Sequence, residues 1–219
     1  MKESELVNMM NKHLKDNGVL YANEIRMGIG IPDIMIGYNV PDEYETIIDY
    51  YALKLYYLIL NNNIKSMNEA LEKSVLTKNH MLRCIRILSD SRLIKITDKN
   101  ITLDKRIDEN KLGVNISIEA KIKDWKSGLI QAQRYLYFSD YSYVALPEIS
   151  IKTVVINNFK EAGIGLLSVA DNCLYEVIKP LKSPGCDSLF KYISISTMLK
   201  KRKTDISDGY LDSKIFSVV

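Results

Sequence analysis

Residues 116–122 constrain this chain most: an apolar, strand-like run carries Glu119 and Lys121 two positions apart. Residues at i and i+2 leave the same face of a strand, so the two charges emerge together while Ile118, Ala120 and Ile122 point the other way. A carboxylate and an ammonium held near a core are costly unless something compensates them, and a bound cation is one such compensation. The plainer alternative for an isolated Glu-x-Lys is the solvent face of an edge strand.

The segments before this run divide into two characters. Residues 4–15 read as an amphipathic helix, with Leu6, Met9, Met10 and Leu14 near helical spacing and Asn17-Gly18 as its stop. Residues 19–26 and 31–38 are strand-like around Gly28-Ile29-Gly30, which predicts a hairpin whose second strand begins with Asp33 after Pro32. Beyond Pro41 the pattern becomes helical: a Tyr-, Leu- and Ile-rich helix to about residue 63, then helices over 66–74 and 77–91. Strands at 93–97 and 101–103 follow, around an Asp98-Lys99-Asn100 turn.

Three helices and a two-stranded hairpin are the segment order of a winged helix-turn-helix. Ser66 and Thr77 stand at N-cap positions, and Glu69 completes a capping box with Ser66. The last helix of the three offers Lys78, Asn79, His80, Arg83 and Arg86 on a polar face suited to DNA phosphates and base edges, with Met81, Leu82, Ile85 and Leu88 turned inward. The same arrangement also serves adaptors and dimerisation modules, and exposed helices are commonly basic.

From residue 114 the chain alternates again: strand 114–123, helix 124–138, strand 141–146, helix 151–162, and strands 165–169 and 174–178. This predicts an α/β layer. The part after Pro180 is polar and weakly patterned, and its Lys200-Lys201-Arg202-Lys203 run reads as a solvated tail. The expected organisation is a core in two parts, 1–42 and 111–180, an insert at 43–110 and a tail at 181–219. An insert accounts for the long interruption between the strands of Asp33 and Glu119, which is too long for a structureless loop.

Bulk properties set limits without choosing a function. With 219 residues and 47% hydrophobic composition the chain can bury one core and a small satellite, and a net charge of +3 does not by itself announce a nucleic-acid partner. Cys84, Cys173 and Cys186 are odd in number and outside metal-ligand spacing, which fits reduced thiols in a cytoplasmic protein. The first residues do not read as a signal peptide and no run is long enough to span a bilayer, so no membrane partner is expected. Only His13 and His80 are present, which argues against histidine-rich zinc chemistry.

Two carboxylates and a lysine suffice for metal-assisted phosphodiester hydrolysis, in which the metal relieves charge on the phosphate and activates a water. Asp33, Glu119 and Lys121 are such a set. The stretches Ile31-Pro32-Asp33-Ile34-Met35-Ile36-Gly37, Ile118-Glu119-Ala120-Lys121 and Gln131-Ala132-Gln133-Arg134-Tyr135 together resemble the motifs of the PD-(D/E)XK, or restriction-endonuclease-like, nuclease superfamily.

The resemblance implies an α/β fold with a mixed central sheet flanked by helices, here interrupted by the winged-helix insert. It also implies Mg2+, with Mn2+ able to substitute, bound by Asp33, Glu119 and the Ala120 carbonyl, with Glu24 or Glu5 as a further acid. Lys121 would stabilise phosphate charge or orient water, and Gln131 and Tyr135 would position water or phosphate. Gln133 and Tyr137 repeat the same spacing, so the register of that motif stays open.

The expected function is a metal-dependent nuclease acting on DNA in repair, restriction or defence. The alternatives are a DNA-binding regulatory or assembly protein on an inactive nuclease-like scaffold, or an RNase, since RNA offers the same phosphodiester. A homodimer would let two sites cut both strands.

Overall fold

Apolar strands from the two halves of the chain meet in one sheet in the computed structural model, which describes residues 1–41, 49–170, 173–201 and 216–218. The first helix, α1 (Glu3–Asp16), buries Leu6, Met10 and Leu14 along one stripe and is followed by β1 (Leu20–Asn23) and β2 (Ile34–Tyr38). Both strands are shorter than expected. Glu24 takes a left-handed conformation (φ 50°), which ends β1, and Pro32 has no N–H to donate, so β2 starts only at Ile34.

The central segment holds α2 (Tyr50–Asn62), α3 (Met67–Lys73), α4 (Lys78–Asp90), β3 (Ile94–Thr97) and β4 (Asn100–Leu103). The first part of the expected Tyr-rich helix, over 42–48, lies outside the described residues. Each helix has its cap: Asp49, Ser66 and Thr77 side chains accept from the backbone N–H of Ala52, Glu69 and His80. The Glu69 carboxylate reaches back to Lys65 N at 3.1 Å, one residue beyond the Ser66 partner expected of it. Asp98 and Lys99, both at positive φ, make a two-residue hairpin turn, leaving Asn100 in β4. Ser66 bridges to Asn100, tying the helices to the hairpin.

A single 3-10 turn, Glu109–Lys111, leads into β5 (Val114–Ala120), then α5 (Trp125–Tyr135), β6 (Tyr141–Pro147), α6 (Glu148–Ile151), α7 (Ile156–Ala162), β7 (Gly165–Ala170) and β8 (Cys173–Ile178). Of the helix expected over 151–162 only Ile156–Ala162 forms, as α7, and the separate short α6 ends at Ile151. Between them the β-branched run Thr153-Val154-Val155 disfavours helix, and the Thr153 hydroxyl turns back to the Ser150 carbonyl at 2.7 Å.

The six long-range strands order as β1-β2-β5-β6-β7-β8, antiparallel at both ends and parallel from β5 through β7. The fold is therefore mixed α/β. Strand alternation sorts the core by face: Ile34, Ile36, Ile116 and Ile118 meet α1, whereas Val144, Leu146 and Leu166 meet Trp125, Ala132 and Phe159.

The end of the chain departs from expectation. Residues beyond Pro180 include α8 (Ser188–Lys201), whose Tyr192, Ile195, Met198 and Leu199 are buried, so this part belongs to the core rather than to a solvated tail. Its pattern is masked by two serines on the buried face; Ser194 is accommodated by Asn115 Nδ2 at 2.6 Å. Of the basic run, Lys200 and Lys201 close α8 and the remainder lies outside the described residues.

The central segment does not keep a core to itself. Leu53, Met81, Ile85 and Leu88 belong to one apolar cluster with Met27 and Met35 of the sheet region, Tyr135 at the end of α5 and Phe138 after it, and Tyr192 and Met198 of α8. No helix among the described residues is long and apolar enough to cross a membrane.

Candidate functional site

β2 and β5 pair with Ile34 opposite Ile118, so extending the register by one residue sets Asp33 beside Glu119. Directly opposed residues of an antiparallel pair share a face. Asp33 stands just before β2 rather than within it, and its Oδ2 accepts from the Ala120 backbone N–H at 2.7 Å. Glu119 is 3% exposed. Its Oε1 accepts from Lys121 Nζ at 2.7 Å and its Oε2 from the Tyr135 hydroxyl at 2.6 Å.

Lys121 lies one residue past β5 and keeps the face of Glu119. Its ammonium also comes within 3.7 Å of the Glu3 carboxylate at the start of α1. Close approach of α5 helps hold it: a Cβ on Gly128 would meet Lys121 Cγ and Val144 at 3.0 Å.

The electrostatics follow from this crowding. Burial pushes Asp33 up to about 6, the neighbouring charges of Glu119 and Glu3 add to the rise, and the Ala120 N–H and Lys121 oppose it. Burial disfavours the Lys121 ammonium, yet the Glu119 hydrogen bond and the charges of Glu119, Glu3 and Asp33 outweigh it and hold Lys121 above its ordinary value. Burial and the Glu119 contact raise Tyr135, so it remains a protonated donor.

Of the remaining expected residues, Gln131 is half-buried on α5, and Ser127 Oγ lies 3.5 Å from its Oε1. Between the two registers of the helix motif, Tyr135 is the buried one and touches Glu119, whereas Tyr137 is 44% exposed and Gln133 is exposed. Glu24 lines an open groove that also contains Asp33 and Glu3.

Glu5 is not part of this arrangement. It closes the start of α1, where its Oε2 accepts from Lys2 N at 2.9 Å. Glu3 takes the position expected of it, and the spacing carries the reason: Glu3 shares the stripe of Leu6 and Met10 at i, i+3 and i+7, whereas Glu5 is turned away. Sequence reasoning also passed over Gly128, and it took Gly30 only as a turn residue. A Cβ at Gly30 would stand 2.5 Å from Tyr135 Cε1, so the loop before Asp33 presses directly on the ring that binds Glu119.

On α4, Lys78, Asn79 and Arg86 are exposed. The other two candidates have partners within the chain: Arg83 pairs with Asp49 at 3.5 Å, and His80 packs its ring on Tyr51 with centroids 4.8 Å apart. Leu82, expected inside, is 42% exposed, and Cys84 occupies the core instead.

Among the described residues, no three His, Cys, Asp or Glu side chains are grouped to hold a metal ion. The carboxylates that converge with Lys121 are Asp33 and Glu119, with Glu3 at the rim. Compared with protein-family models, with curated proteins and with solved structures, the chain gives no match.

Proposed function

We propose that this chain is a divalent-metal-dependent nuclease with a restriction-endonuclease-like core, whose catalytic set is Asp33, Glu119 and Lys121, with Tyr135 bonded to Glu119 and with Gln131 one turn before Tyr135 on α5. The observation that carries the reading is the convergence of residues far apart in sequence: Asp33 bonded to Ala120, and Glu119 bonded to both Lys121 and Tyr135, at one end of the β2–β5 pair. A buried glutamate and a half-buried aspartate sharing a single lysine are poorly explained by folding needs, because apolar substitutes would pack without the desolvation penalty.

The donor set fits magnesium in one particular way. Magnesium keeps most of its water shell and takes only one or two protein carboxylates, so Asp33 and Glu119, with the Ala120 carbonyl, are a sufficient share. Each carboxylate has about four lone-pair directions, so hydrogen bonds from Lys121 and Tyr135 do not exhaust Glu119. Burial is the main cause of the rise of Asp33 to about 6, with the charges of Glu119 and Glu3 adding to it, and a cation bound there would favour the ionised form against both.

A bound ion of this kind would polarise the scissile phosphate and lower the pKa of a water. Lys121, held protonated by its carboxylate neighbours, stabilises charge on the phosphate rather than removing a proton. Tyr135 fixes the orientation of Glu119. The central segment serves as a winged helix, with Lys78, Asn79 and Arg86 of α4 directed to duplex DNA phosphates and bases.

The test is plasmid nicking by purified protein with magnesium or manganese. Cutting that is lost in Asp33→Ala and in Lys121→Ala, both still folded, supports the reading; cutting retained in both variants overturns the site.

A second reading, a DNA-binding regulatory or assembly protein on an inactive scaffold, draws on Glu119 having both oxygens already engaged within the chain. It is favoured by a gel shift that survives chelation together with no cleavage of DNA or RNA.

A further inference from the structure

The groove beside Asp33, about 520 Å³ in volume, is walled by α1 and the end of β1 and lined by Glu3, Asn8, Asn11, Asn23, Glu24 and Asp33. Among the described residues its lining holds no lysine or arginine, and the two ammonium groups that touch lining residues are already engaged, Lys121 with Glu3 and Glu119 and Lys201 with the Asn23 and Glu24 carbonyls. A phosphate backbone laid along this wall would face three carboxylates. The nucleoside part of a nucleotide is neutral, and its base edge matches amides that both donate and accept. Two of the amides are already fixed in place: Asn23 Nδ2 donates to Asn11 Oδ1 at 3.2 Å and to the Asp33 carbonyl at 3.1 Å.

A second feature adjoins the same aspartate. Between β1 and β2 the loop exposes Ile29 and Ile31, at 43% and 48%, although large apolar side chains are ordinarily turned away from water. The loop is held rather than loose. Met27 N donates to the Gly30 carbonyl at 3.0 Å, Gly28 turns at φ 80°, and the Tyr135 hydroxyl lies 3.2 Å from the Ile31 carbonyl. Two isoleucines are thus displayed on a fixed loop immediately before Asp33. Apolar side chains beside a nucleic-acid site act on base faces, which become available only where the stack is opened.

We propose that the nucleotide next to the scissile phosphate binds unpaired, its base and sugar in the Asn8, Asn11 and Asn23 groove and a neighbouring base face against Ile29 and Ile31. The preferred substrate is then a nucleic acid with an unpaired arm rather than a continuous duplex. This rests on the nuclease reading for the identity of the ligand. A paired base has its Watson–Crick edge committed and its faces covered by stacking, so a continuous duplex would engage neither surface.

Fluorescence anisotropy without divalent metal tests this, using a labelled blunt DNA duplex and the same duplex carrying a single-stranded arm. The arm is expected to tighten binding at least tenfold. The double variant Ile29→Ser/Ile31→Ser, and separately Asn8→Ala on the exposed face of α1, are each expected to reduce that preference several-fold while leaving blunt-duplex affinity unchanged. Matched melting temperatures establish that both variants are folded. Equal wild-type affinity for the two DNAs, or a preference kept intact in both variants, overturns the proposal. Failure of the nuclease reading is seen separately, as no cleavage of either DNA on adding magnesium or manganese, and leaves the binding ratio as measured.

Discussion

The Tyr135 hydroxyl donates to Glu119 Oε2 at 2.6 Å and in doing so fixes a carboxylate that would otherwise be buried on that side without a partner. The same hydroxyl sits 3.2 Å from the Ile31 carbonyl, so one atom of α5 touches both the β5 acid and the loop that leads to Asp33. Tyr135→Phe removes the donor and keeps the ring. We expect it to lower stability by about 1–3 kcal/mol, the usual penalty for leaving a buried polar group unpaired, read as a fall in melting temperature.

Under the proposed nuclease reading, Lys121→Ala lowers the cleavage rate by about 10²–10³-fold, the scale for removing one preorganised charge-stabilising donor. Lys121→Arg should not restore it, because a planar fork cannot replace a compact ammonium in the space bounded by Gly128 and Glu119. Single-turnover rates at saturating magnesium measure both.

Asp33 makes stability fall as pH rises. Its folded pKa of about 6 lies above the ordinary 3.8, so the folded protein holds this proton more tightly than the unfolded chain does. The penalty is absent below about 4, grows between about 4 and 6, and is complete above that. In metal-free protein, Asp33→Asn should therefore stabilise at pH 7.5 by on the order of 2–3 kcal/mol. The gain should vanish near pH 4, and urea melts at the two pH values check it.

Gly30→Ala tests how tightly the loop and the ring are fitted. The added Cβ would stand 2.5 Å from Tyr135 Cε1, and the ring is buried and tethered at its hydroxyl, so it cannot swing away freely. Overpacking of this kind costs about 1–3 kcal/mol. Thermal melts should show the loss, and any activity should fall with it because Glu119 shifts with Tyr135.

Lys191→Met should be among the most destabilising single changes outside the candidate site. Lys191 Nζ pairs with Asp140 Oδ2 at 2.7 Å, both side chains being largely buried, and that oxygen also accepts from Asn115 N at 2.8 Å. Removing one partner of a buried pair leaves an uncompensated charge at about 3–5 kcal/mol. Denaturant midpoints with an unchanged m-value would establish the effect.

Much of this was legible from residue order, for reasons that differ by element. The strands around Asp33 and Glu119 announce themselves by apolar runs, and the caps at Ser66 and Thr77 work through local chemistry that needs no tertiary partner. Glu119 and Lys121 share a face because strand geometry requires it. What stayed hidden depends on contacts made at a distance. Ser194 on α8 reads as surface until Asn115, remote in sequence, is found bonded to it. Leu82 and Cys84 are interchangeable by hydrophobicity and are separated only by which side of α4 meets α2. The choice of Glu3 over Glu5 needed the inward stripe of α1 to be extended by one turn.

Ile85 and Leu88 of α4 lie in the same apolar cluster as Tyr135, and that has a practical consequence for dissecting the molecule. Deleting residues 43–110 would not yield a smaller unit with an intact candidate site. It would uncover Met27, Met35 and the Tyr135 ring to water and remove the support beneath the hydroxyl that steadies Glu119. On the proposed reading, recognition and chemistry would have to be separated by point substitutions at the surface of α4, not by scissors.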